Sequence, residues 1–209
     1  MSKSIFNKFS IPLGLLDYIN PIFYSISIIT IIRNIYLEFP YNIIMILGAI
    51  LSIIFGFIIP TGKVIVGMGL IKFRMPVSLV FMVNTGILLS GLMLLKYVFN
   101  FNSIVLFIII GFILILLLLI YCMSKKFNTI AVLIGMFGYL LLYISLIIIS
   151  FRLKLFIPII LYLLAIVLFL MLVCIGIKAN LKNPKVHWVI EISNVLCQFL
   201  VMIGTLILF

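Results

Sequence analysis

The strongest constraint on this chain is a succession of apolar runs, each about 20 residues long, separated by short stretches carrying Lys, Asn or Pro. A helix rises about 1.5 Å per residue and the hydrocarbon layer is about 30 Å thick, so about 20 apolar residues cross it. Segments 19–37, 41–59, 76–98, 103–122, 128–150, 155–177 and 186–208 all have that length. With 67% of its 209 residues apolar and 8% charged, the chain has too few polar groups to cover a water-soluble globule. Backbone amides in lipid must be paired internally, and these runs lack the alternation of barrel strands. The expected fold is therefore all-α: a polytopic transmembrane helix bundle of about seven spans, forming one integral membrane domain over 1–209.

The net charge of +11 comes from 14 basic residues against three acids, Asp17, Glu38 and Glu191. The bases stand singly or in small groups between apolar runs, as loops facing an anionic leaflet do, so no nucleic-acid partner is expected. Short-loop Lys and Arg set the orientation. With the N-terminus inside, Lys3, Lys8, Lys63, Lys72, Arg74, Lys125, Lys126, Lys178, Lys182 and Lys185 lie on the inner side, and only Arg33, Lys96, Arg152 and Lys154 on the outer. The reading is N-terminus in, C-terminus out, in the cell (plasma) membrane. The first run contains Pro21 and Arg33 and ends without a small-x-small cleavage pattern, so it reads as a retained span.

Residues 60–75 admit a re-entrant or interfacial loop, a broken continuation of span 2, or an amphipathic cytoplasmic loop. Pro60-Thr-Gly-Lys63 precedes eight apolar residues, Val64–Ile71, too few to cross a bilayer. Gly56 to Lys63 resembles a phosphate loop only superficially: the spacing is one residue too long, and Val64 replaces the hydroxyl residue that holds magnesium. Cys122, Cys174 and Cys197 are scattered in apolar runs, away from the single histidine, His187, and read as packing residues. No catalytic set, no metal ligands and no cofactor are expected.

One polar stripe stands out in the last run. At about 100° per residue, His187, Glu191, Asn194, Gln198 and Thr205 fall within an arc of about 60°, and Ile192, Leu196, Phe199 and Ile203 lie opposite. Hydrogen bonding between helices accounts for Asn194, Gln198 and Thr205. It accounts poorly for Glu191, because a glutamine bonds equally well without the cost of a buried charge. A second stripe, Asp17, Asn20 and Tyr24, begins the first run and is expected to face the first at matched depth. Gly48, Ser52 and Gly56 form two small-xxx-small steps that suit close helix approach.

The favoured function is a small permease or channel-like protein, with a polar pathway along spans 1 and 7 that handles a small ion, proton or solute. The alternatives are a non-catalytic subunit or sensor bound to a membrane-protein partner, and an embedded enzyme acting on a lipid.

Overall fold

In the computed structural model, residues 11–36, 42–70, 77–100, 127–178 and 184–209 are described, with isolated positions between 102 and 110. They form α1 (Ile11–Asp17), α2 (Ile19–Ile35), α3 (Asn42–Gly67), α4 (Val77–Phe99), α5 (Phe127–Arg152), α6 (Phe156–Lys178) and α7 (Pro184–Leu208), with no strand among the described residues. Counting α1 and α2 as one, six of these units are long and apolar enough to cross a membrane. The chain is thus a multi-pass helical bundle. The expected span 103–122 lies almost wholly outside the described residues.

Two features differ from expectation, and a proline lies near each. The first span is already helical at Ile11, ahead of residue 19, with a break at Tyr18. Pro21 has no N–H to offer the carbonyl four residues back, that of Asp17, and its ring crowds that carbonyl. Tyr18 N–H accordingly bonds the Leu15 carbonyl instead, at 3.2 Å. Pro60 does not end the second span: α3 continues to Gly67 with Pro60 inside it. Proline is tolerated within membrane helices. Residues 60–67 are therefore helical and 68–70 form a turn, while 71–76 lie outside the described residues.

The spans pack in a closed ring. α2 touches α3, α3 touches α4, α4 touches α5, α5 touches α6, α6 touches α7, and α7 returns to α2. Small residues allow the tightest of these contacts. A Cβ on Gly86 would strike the Gly48 carbonyl, and one on Gly138 would lie 2.6 Å from the Leu88 backbone nitrogen. Two of the three small residues on α3, Gly48 and Ser52, therefore meet Gly86 of α4; the third, Gly56, faces Pro21 of α2. A tight turn joins α5 to α6, with Lys154 at φ 57 and Leu155 N–H bonding the Ser150 carbonyl.

Side chains inside the ring are the most buried, among them Ile28, Tyr143, Leu146, Tyr162 and Cys197. The outward faces are apolar and exposed, as at Ile43, Leu47, Ile50 and Ile54 of α3. Such a surface suits lipid, since lipid tails are as apolar as the side chains they meet. Among the described residues most serines and threonines bond the carbonyl one turn back, as Ser27, Ser90, Ser145, Ser150 and Thr205 do, which lowers their cost within hydrocarbon.

Candidate functional site

The break at Tyr18 brings the end of α1 against the end of α3. Gly14 allows this approach, since a Cβ there would sit 2.9 Å from a Val64 methyl. Tyr18 OH and Thr61 Oγ1 lie 2.7 Å apart, and the Tyr18 ring tilts against Phe57 at 6.4 Å. α7 lies against the same end of α1 and α2, and Phe23 meets Phe199 at 5.6 Å.

Three charged side chains meet there. Lys63 Nζ lies 2.7 Å from Asp17 Oδ2 and 2.8 Å from Glu191 Oε1. The contact to Glu191 is a hydrogen bond as well as an ion pair; that to Asp17 has ion-pair distance without hydrogen-bond alignment. Asp17 and Glu191 are each 8% exposed. Two carboxylates share one ammonium in a buried setting. Such a cluster is expensive to assemble unless its geometry is good, and removing one member exposes the full cost of the others. It joins α1, α3 and α7, three segments far apart in the chain.

Behind the cluster lies a cavity of about 150 Å³ inside the ring. Asp17 borders it, with Asn20 and Tyr24 one and two turns along the same face of α2. Ser52 and Gly56 of α3 and Asn194 of α7 add polar and backbone groups, whereas Ile59, Val83 and Ile87 give apolar walls. Tyr139 of α5 closes the far side. Ser52 Oγ and Tyr24 OH lie 3.1 Å apart, and Asn20 Nδ2 donates to Asp17 Oδ1 at 3.2 Å. Asn20 Oδ1 is buried without a partner.

The eight residues singled out from sequence fall into four groups. Asp17, Asn20, Tyr24, Glu191 and Asn194 come together at the charged cluster and cavity, so the two polar stripes do face each other. Gln198 is 3% exposed and lies near Tyr139, deeper in the ring. Thr205 faces α6, where Tyr162 OH donates to it at 3.3 Å. His187 is half-buried in the first turn of α7, one turn before Glu191. The stripe on α7 therefore serves different neighbours along its length.

Lys63 is the member that sequence reasoning missed as a site residue. It reads as a loop cation because Pro60 looks like a helix end, and it reaches Glu191 across 128 positions of sequence. One signal was available: a base flanked by apolar residues on both sides, in a chain with only three acids. Among the described residues no group of three or more His, Cys, Asp and Glu side chains could hold a metal ion. Comparison with protein-family models, curated proteins and solved structures gives no match to this chain.

Proposed function

We propose that the chain is a small permease of the cell membrane, with the interior of the helical ring as its pathway and the Asp17–Lys63–Glu191 cluster as its inner gate. The observation that supports this reading is a buried cluster of two carboxylates sharing one ammonium, beside a cavity with both polar and apolar lining among α1, α2, α3, α4, α5 and α7. A helix staple has no need of a third charge, because one carboxylate and one ammonium already neutralise each other. The surplus carboxylate is a place for a proton or a cation, and ionisable groups within spans commonly mark such routes. Opening the gate amounts to transferring Lys63 between its two carboxylates, or releasing one of them when a cation takes its place.

Glu191→Gln tests this directly. It keeps a hydrogen-bond acceptor for Lys63 and leaves a neutral Asp17–Lys63 pair, so the protein should insert and fold. Flux in proteoliposomes should be lost, and Glu191→Asp should restore part of it. Undiminished flux in Glu191→Gln reduces the cluster to a staple. A wild-type protein with no flux of any small cation, yet purifying with one fixed membrane protein, would establish the subunit reading instead.

A further inference from the structure

We infer that the central cavity binds one compact monovalent cation with N–H donors, a primary ammonium ion of up to about six non-hydrogen atoms. This rests on the permease reading and assigns its ligand class. The first observation is the unpartnered Asn20 Oδ1. Its amide orientation is fixed, since Nδ2 donates to Asp17 Oδ1 and a flipped amide would set oxygen against carboxylate. A buried acceptor without a donor is costly, so this atom calls for a donor from within the cavity.

Two backbone features add acceptors at the same place. Pro21 and Pro60 lack the N–H groups that the carbonyls of Asp17 and Gly56 would receive in a regular helix. Both Asp17 and Gly56 border the cavity. Both residues thus border a space next to a cluster in which two carboxylates share one ammonium. Water could donate to Asn20 Oδ1 but cannot balance a second carboxylate, whereas an ammonium does both.

Shape narrows the ligand further. The lining combines polar groups, from Asp17, Asn20 and Asn194, with apolar ones, from Ile59, Val83 and Ile87. A volume of about 150 Å³ matches engineered cavities that hold a six-carbon ring. A short alkylammonium places its head against the polar groups and its tail against the apolar ones. Tetramethylammonium has the charge but no N–H to offer Asn20.

Isothermal titration of the purified full chain in detergent, with n-butylammonium chloride and tetramethylammonium chloride at equal ionic strength, tests the assignment. Saturable one-site binding is expected for n-butylammonium alone. Asn20→Ala should weaken it about tenfold or more, the usual scale for a hydrogen bond to a charged group. Val83→Phe, which fills the cavity from its apolar lining without touching a polar group, should abolish it. Fluorescence of Trp188 and a monodisperse elution profile establish that each variant is folded. If Asn20→Ala is not folded, Val83→Phe carries the comparison, and unchanged affinity there overturns the proposal. So do absence of saturable n-butylammonium binding in the wild-type protein and equal binding of tetramethylammonium. A parallel flux assay keeps the two claims separate. Binding without flux leaves the site standing and refutes the permease reading; flux of another cation without n-butylammonium binding does the reverse.

Discussion

Replacing Lys63 by Met is the sharpest perturbation available, because it removes the shared ammonium and nearly preserves side-chain volume. Asp17 and Glu191 then remain with about 8% exposure each and no counter-ion. Their Lys63-bound oxygens lie no more than about 5.5 Å apart, since both touch Nζ at 2.7 and 2.8 Å. At an effective dielectric of about 20, two unit charges at that distance repel by about 3 kcal/mol. Breaking a buried ion pair by deleting one partner costs about 3–5 kcal/mol in measured cases, so a loss of at least about 3 kcal/mol is expected. Trp188 is the only tryptophan and lies one turn from Glu191, so its fluorescence reports unfolding in an SDS titration of mixed micelles. The decisive control is the triple variant Asp17→Asn, Lys63→Met, Glu191→Gln. It removes all three charges, and neutral replacement of a buried ion cluster is often harmless or stabilising. It should recover most of the loss. A Lys63→Met protein within about 1 kcal/mol of wild type, or a triple variant no better than the single one, would refute the reasoning.

Three further outcomes are expected. Gly138→Leu should destabilise the protein by about 2 kcal/mol or more in the same titration, because its side chain must enter the Leu88 backbone, which cannot yield as a side chain can. Tyr162→Phe deletes the bond to Thr205 and should cost less than about 1 kcal/mol, with flux unchanged, since membrane hydrogen bonds average about 0.6 kcal/mol and this one lies outside the cavity; a large flux defect would return Thr205 to the pathway. A reporter fused at the C-terminus should be active only on the outer side, and cytoplasmic activity would overturn the orientation drawn from the basic residues.

The sequence by itself determined the solvent, the secondary structure and much of the pairing. Apolar runs of spanning length admit only helices, because lipid offers no partners for backbone amides. Matched depth and polarity set Asp17, Asn20 and Tyr24 opposite Glu191 and Asn194, since polar groups in hydrocarbon must find one another. Helix ends at proline were the weak point. Pro21 follows a break in the first span and Pro60 leaves the second intact, so a proline alone does not fix where a membrane helix ends. Only the tertiary structure decided where Lys63 goes. Helical periodicity relates residues within one span, whereas the join of Asp17, Lys63 and Glu191 depends on how α1, α3 and α7 meet around the ring. The same holds for the cavity. Its lining comes from side chains on five spans, and the unpartnered Asn20 oxygen becomes visible only once every neighbour is in place.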